Sequence, residues 1–198
     1  MNNETTQPFD IYLVGVGGQG VLTIGEILSE AALAQEIPAN FYPTKGMAQR
    51  GGFVKAQLRL GRQASGANIP ERSADLVIAM ERSEGLKAVR FIKLGGDFIV
   101  WDHVWAPTAV MLEQAPYPTL EHLSEQVHGA GGRFHDLHPH DLPKGLSENI
   151  FVLGVALNNT ALGRLLQPEL VRAKIEERWP EAAAKNADAF RRGLEVYR

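Results

Sequence analysis

The chain contains no cysteine. That absence removes disulfides, iron–sulfur ligation, thiolate zinc sites and thiol nucleophiles together. Long apolar runs are missing too. No uninterrupted stretch approaches the roughly 18 residues a membrane helix needs, so no membrane contact is expected. An excess of one charge is also lacking: 20 Lys and Arg face 23 Asp and Glu, a formal net charge of −3. This balance gives no electrostatic case for nucleic-acid binding. The first residues, Met1 to Asp10, are polar and slightly acidic, with no basic region ahead of an apolar core. They do not read as a secretory signal, and the expected location is cytoplasmic. Two catalytic signatures are absent as well. There is no Gly-x-Ser-x-Gly elbow, and Gly15-Val-Gly-Gly-Gln-Gly20 lacks the Lys-Ser/Thr that would complete a Walker A loop.

What is present suits one compact α/β domain spanning residues 1–198. The chain is 44% hydrophobic and 22% charged, close to the soluble globular average. Ile11 to Val14 is a short, wholly apolar run and reads as a central buried strand. From Val21, apolar residues recur at helical spacing through Leu33, and the helix should stop near Gln35 or Glu36, ahead of Pro38. Asn40-Phe-Tyr42 predicts a second strand closed by Pro43 and Thr44. Phe53 to Leu60 alternates apolar and polar residues, as a half-exposed strand does. Ala74 to Met80 reads as a buried strand, Arg82 to Ile92 as a helix, and Gly95-Gly-Asp97 as a turn into the strand Phe98 to Trp101. Pro107 to Pro143 shows weak periodicity and is expected to be the least regular part. Helices are predicted from Asn149 to about Leu166, from Glu169 to Trp179 and from Glu181 to about Tyr197, with Pro168 and Pro180 at helix starts. The alternation predicts a three-layer α/β/α fold, with a mostly parallel, Rossmann-like sheet and additional C-terminal helices.

Two glycine-rich segments carry the chemistry. The first is the turn Gly15, Gly17, Gly18, Gln19 and Gly20, between a strand and a helix. Backbone N–H groups in such a turn can approach a phosphate or a close-packed partner. Dinucleotide binding also calls for an acidic residue at the end of the second strand, but Pro38 to Lys45 contains no carboxylate. A tight packing turn without a ligand is the plainer alternative. The second segment, Thr44 to Phe53, places Lys45, Gln49 and Arg50 beside Gly51 and Gly52. That mixture suits a phosphate or a partner carboxylate, and equally an ordinary basic surface loop. After the second strand of an open sheet, it would lie beside the first turn along the carboxyl edge.

His135, His138 and His140 stand near Asp136 and Asp141, and imidazoles with carboxylates are suitable metal ligands. The spacing fits no standard metal motif, and Pro139 interrupts any helix that would align them. A solvated histidine-rich loop is the expectation, with no metal site. Asp75, at a strand start, reads as a surface or turn residue. Trp101 and Trp105 read as core or interface aromatics that could also reach the ligand edge.

Three motifs in order complete a pattern: Val14-Gly-Val-Gly-Gly-Gln-Gly-Val-Leu22, Thr44-Lys-Gly-Met-Ala-Gln-Arg-Gly-Gly52 and Ala74-Asp-Leu-Val-Ile-Ala-Met-Glu81. Together they resemble the gamma subunit or domain of the 2-oxoacid (pyruvate, ketoisovalerate, indolepyruvate):ferredoxin oxidoreductase family, most of all its indolepyruvate-type beta subunit. The likeness continues into Asn149-Ile-Phe-Val-Leu-Gly154 and Asn186-Ala-Asp-Ala-Phe-Arg-Arg-Gly193, and is weakest from Trp105 to Leu146. The resemblance implies a subunit that supports oxidative decarboxylation of a 2-oxoacid, such as an arylpyruvate, to an acyl-coenzyme A, with ferredoxin as electron acceptor. It implies a large partner subunit holding thiamine diphosphate, Mg2+ and the iron–sulfur clusters, a division with which the lack of cysteine agrees. The two glycine segments would then face that partner or hold the phosphates of coenzyme A. A stand-alone nucleotide-binding reductase and a purely structural α/β subunit are the alternative readings.

Overall fold

The computed structural model describes residues 7–45, 52–63, 66–105 and 116–196. Among these residues six strands form one sheet: β1 (Phe9–Val16), β2 (Ala39–Lys45), β3 (Phe53–Leu60), β4 (Ala74–Ala79), β5 (Ile92–Trp101) and β6 (Arg133–Leu137). Their order across the sheet is β2-β3-β1-β4-β5-β6. β1, β4, β5 and β6 run parallel, while β3 is antiparallel to both β1 and β2. The described helices are α1 (Val21–Ala34), α2 (Arg82–Ala88), α3 (Leu120–Gly129), α4 (Glu148–Asn159), the single turn α5 (Leu162–Leu165), α6 (Pro168–Arg178) and α7 (Ala183–Glu195).

Strand periodicity explains the layering. Ile11 and Leu13 of β1, with Ile99 and Trp101 of β5, pack into a core completed by α1, α4, α6 and α7. Their neighbours Tyr12, Val14, Phe98 and Val100 point the other way, toward α2 and α3. A strand buried on both faces must be apolar throughout, and every residue of β1 except Asp10 and Gly15 is. Asp10 is tolerated because Arg59, directly opposite on β3, donates to its carboxylate at 3.0 Å, and Arg62 adds a contact at 3.2 Å. Asp75 accepts the Asp10 N–H at 2.7 Å and pairs with Lys93, a structural role at the strand start.

The three-layer expectation holds, with local corrections. The sheet is mostly parallel as expected, with one reversed strand: β3 runs antiparallel to both β1 and β2. β2 also continues through Pro43 to Lys45, because an edge strand tolerates a missing donor. The helix expected to reach Ile92 stops at Ala88, and a 3₁₀ turn follows at Val89–Phe91. Gly95 and Gly96 lie inside β5, where the register against β4 shifts, instead of forming a turn before it. The supposedly irregular middle contains α3 and β6. Finally, the first C-terminal helix breaks at Thr160, whose hydroxyl donates to the Ala156 carbonyl at 2.6 Å.

The histidine segment is also not a free loop. His135 lies on β6, and its Nε2 is 3.0 Å from Asp97 Oδ1. His138 lies between Asp136 and Asp102, at 3.1 and 3.4 Å, and its ring stacks on that of His140. Among the described residues, no three His, Asp or Glu side chains gather as a metal-binding group.

Asp97 is 1% exposed, and burial by itself would raise its carboxyl. Hydrogen bonds from His135 and from both Nε and Nη2 of Arg133 outweigh that effect and hold it below the ordinary carboxylate range. A carboxyl whose folded value is depressed stabilises the fold above its unfolded value, near 3.9. That contribution is lost as pH falls through the lower, folded value. His135→Phe removes one donor and is expected to move the acid-unfolding midpoint up by about half a pH unit. Circular dichroism between pH 6 and pH 2 measures this, and superimposable curves for the two proteins would refute it.

Candidate functional site

The order of the strands marks the site. From β1 the chain moves outward to β2 and β3, then returns to place β4 on the other side of β1, so the direction reverses between β1 and β4. In open α/β sheets, ligands gather at the carboxyl ends of strands beside such a reversal. The glycine turn after β1 and the start of α2 after β4 flank it.

The turn is built by two residues with positive φ, Gly18 at 103° and Gly20 at 72°. Gly18 is exposed, and a Cβ there would meet nothing within 4 Å. Gly20 is crowded instead: a Cβ would lie 2.4 Å from Asn149 Nδ2, on the first turn of α4. Gly15 is buried in β1, where a Cβ would come within 2.7 Å of Gln19 Oε1. Of the predicted turn residues, Gly18 is exposed, Gly17 and Gly20 are half-buried, and Gly15 is buried. α1 begins at Gly20 with no side-chain cap and no acidic residue in its first turn. Its leading N–H groups have no partner within the helix and carry the positive end of its dipole.

Gln19 has a different task from the one its motif suggests. Its Oε1 accepts the Val16 N–H at 2.9 Å, and its Nε2 donates to the Met80 carbonyl at 2.6 Å. The side chain thus stitches the end of β1 to the end of β4 across the crevice at the reversal. In a dinucleotide-binding domain, that crevice must stay open for the pyrophosphate.

The second glycine segment arrives by the β2–β3 pair. Lys45 is the last residue of β2, aligned with Val54, and Phe53 is aligned with Val16. The Gly52 carbonyl accepts the Gly17 N–H at 2.8 Å. Gly52, the last residue of the second segment, thus meets the first turn, brought there by the antiparallel strand β3 beside β1. Gln49, Arg50 and Gly51 lie outside the described residues.

Beyond the β4 end, residues that sequence reasoning did not single out form a polar clasp. Glu81 is fully buried and caps α2, accepting the Glu84 N–H at 2.8 Å and the Ser83 hydroxyl at 2.7 Å. Its other oxygen accepts the Tyr117 hydroxyl. Arg82 binds Asp102 through Nε at 2.7 Å and donates to the Pro118 carbonyl at 3.2 Å. The only sequence signal for this group is Glu81 itself, a carboxylate placed at the end of an apolar strand. A cleft of about 560 Å³ beside the clasp is lined by Arg82, Glu121, Glu125 and Asp136 among others. Arg82 is already neutralised by Asp102, so the carboxylates set the sign there, and a phosphate is disfavoured. The glycine turn is the better anion-facing surface.

Comparisons with known proteins extend along nearly the whole chain. Residues 10–196 match the family described as pyruvate ferredoxin/flavodoxin oxidoreductase. The indolepyruvate oxidoreductase subunit IorB of Methanothermobacter thermautotrophicus is 32% identical over 191 residues, covering 94% of this chain and 96% of that one. The pyruvate oxidoreductase subunit PORC of Thermotoga maritima shares the fold at a TM-score of 0.69 and 21% identity, covering 96% of each chain. A 2-oxoglutarate:ferredoxin oxidoreductase from Magnetococcus marinus, solved with 2-oxoglutarate, coenzyme A and succinyl-CoA bound, shares it at 0.61 and 17% identity. This chain is covered to 95% in that comparison and spans 30% of the longer protein. These last two likenesses concern the fold, whereas the family match and the IorB relative extend along nearly the whole sequence. The chain belongs to the pyruvate ferredoxin/flavodoxin oxidoreductase family.

Proposed function

We propose that residues 1–198 act as one gamma-type domain, the small subunit of an oxidoreductase that decarboxylates indolepyruvate or a related arylpyruvate. Its partner is a large subunit holding thiamine diphosphate, Mg2+ and iron–sulfur clusters, with ferredoxin as the electron acceptor and the cytoplasm as its location. The observation that carries the reading is the end-to-end correspondence with an indolepyruvate oxidoreductase subunit. The residues of this chain agree with the division of labour. No cysteine is available for a cluster, and among the described residues no helix is long and apolar enough to cross a membrane.

Coenzyme A supplies the thiol that receives the acyl group, and its phosphates need donors. The exposed backbone of Gly18, the half-buried Gly20 beside it and the uncapped start of α1 fit that need. Gly52 ties the Lys45–Gly52 segment to this turn, and Lys45 and Arg50 give it cationic character suited to the same phosphates or to a partner carboxylate. Gln19 and Gly15 hold the surface in shape from behind it. A stand-alone dinucleotide-binding reductase is disfavoured, because the Gln19 side chain occupies the crevice such a cofactor needs.

Co-expression with a thiamine-binding large subunit is the test. The two chains should co-purify, and only the complex should reduce a viologen dye with indolepyruvate and coenzyme A. A monodisperse chain that never associates, or that alone binds NAD(H) or FAD tightly in calorimetry, overturns the reading.

A further inference from the structure

The starts of two helices meet beside the glycine turn, and neither has a side-chain cap. α1 opens at Gly20. α4 opens at Ser147, a residue type well suited to capping, yet its side chain accepts no N–H of the first turn. The hydroxyl donates instead to Asn186 Oδ1, on α7, at 2.7 Å. Asn149, in the first turn of α4, lays its amide against Gly20. A Cβ on that glycine would lie 2.4 Å from Asn149 Nδ2 and 3.2 Å from Asn149 Cβ.

Unused donors surround this meeting point. Asn186 is only 5% exposed, and with its oxygen held by Ser147 its Nδ2 has no acceptor among the described residues. An amide donor placed so deeply is costly to leave unpaired, and an acceptor that arrives with a ligand removes that cost. The half-buried Asn149 amide is likewise unpaired. Lys185 precedes Asn186 on α7, and a Cβ on Gly145 would lie 4.0 Å from its ammonium. The charge therefore stands over the loop that leads into Ser147. Lys144 and Lys185 are exposed and have no ion pair among the described residues, against the one carboxylate of Glu148 in the first turn of α4.

We propose that the head of α4 is a phosphate subsite, in which Asn149, Asn186 and Lys185 bind the 3′-phosphate of coenzyme A. The inference rests on the functional reading above and deepens it, dividing the co-substrate's phosphates between two adjoining donor sets. Coenzyme A carries a pyrophosphate and, on its ribose, a separate phosphomonoester. The pyrophosphate suits main-chain N–H groups at a glycine turn. The monoester is close to a dianion at neutral pH and suits an ammonium with side-chain donors beside it. It also presents three terminal oxygens to the three free donor groups, whereas a carboxylate of the large subunit presents two oxygens and a single charge.

The test compares coenzyme A with 3′-dephospho-coenzyme A in the assembled enzyme, by dye reduction at saturating indolepyruvate. The wild-type KM is expected to be about tenfold higher for the dephospho form. Asn149→Asp and Lys185→Gln should each raise the KM for coenzyme A by about tenfold, and the KM for the dephospho form by less than about threefold, with the effect in KM rather than kcat. Lys185→Arg should restore most of the affinity. Asn149→Asp also puts a carboxylate where the dipole of α4 favours one, so the melting temperature of the isolated chain should hold or rise while coenzyme A affinity falls. A residue that only supported the fold would lose both together. A wild type that does not distinguish the two co-substrates, variants that leave the KM for coenzyme A unchanged, or variants that raise both KM values equally overturn the subsite and leave the functional reading intact. Weakened binding of the large subunit by Asn149→Asp, with an unchanged KM in the complex that forms, assigns the α4 head to a partner contact and overturns it too. Absence of activity from the wild-type complex removes both.

Discussion

Replacing Gly193 by alanine is expected to destabilise the isolated chain by about 3 kcal/mol, lowering its melting temperature by about 6–12 °C. α4 and α7 cross at Gly154 and Gly193, with their backbones in direct contact. A Cβ on Gly193 would lie 2.1 Å from the Phe151 carbonyl oxygen and 2.9 Å from Gly154 Cα. Both obstacles are main chain, which cannot rotate aside as a side chain can, so the helices must separate. Alanine returns about 1 kcal/mol through its better helix propensity, which limits the net loss without cancelling it. Gly154→Ala meets the Phe190 carbonyl at 2.3 Å and is expected to act alike. The double variant should cost less than the two losses added, because helices parted once have already relieved the second clash. Differential scanning calorimetry of the three variants decides the matter, and a shift under 2 °C for Gly193→Ala would show that the crossing yields. The effect extends to the site. Ser147 at the head of α4 donates to Asn186 of α7 at 2.7 Å, and Asn149 abuts Gly20. The helix crossing and the glycine turn therefore share one support.

That crossing also shows what the sequence conveyed. The segments ending in Gly154 and Gly193 were visible as motifs, but nothing in either segment says that they meet each other. Strands with a clean pattern were legible: β3 begins and ends where the alternation from Phe53 to Leu60 does. β5 was misread because Gly95 and Gly96 look like a turn. Gly96 instead sits inside the strand where a Cβ would meet Ile92 and the Ala74 carbonyl. α3 escaped because only Leu123 and Val127 are buried on it, a pair too sparse to display a helical period.

The candidate site divides in the same way. Its backbone elements, Gly17, Gly18 and Gly20, were legible because glycine in a strand-to-helix turn has a narrow set of uses. Its side chains were not. Gln19 looked like a ligand group, yet both ends of its amide are engaged within the fold. Glu81, Tyr117, Arg82 and Asp102 are brought together by the sheet from residues 36 and 20 positions apart. No local pattern encodes such a pairing.

The sharpest functional contrast is between Gly18→Asp and Gly18→Asn in the assembled enzyme. Gly18 is exposed, with φ at 103° and open space where a side chain would go. Both substitutions carry the same backbone strain, about 1–2 kcal/mol, and nearly the same volume. They differ by one negative charge. If coenzyme A phosphates approach this turn, that charge sits about 5 Å from them, and the screened repulsion is of the order of 2 kcal/mol. The KM for coenzyme A should then be about 30-fold higher in Gly18→Asp than in Gly18→Asn, which itself rises only a few-fold. The turnover number should stay near wild type in both, because the turn binds the co-substrate and contributes no reacting group. High salt should shrink the difference between the variants. Equal KM values, joined to equal losses in affinity for the large subunit, would mean that the turn meets only protein. The Asp–Asn pair thus separates an anion cradle from a packing surface, because strain and size are matched and charge is the only remaining variable.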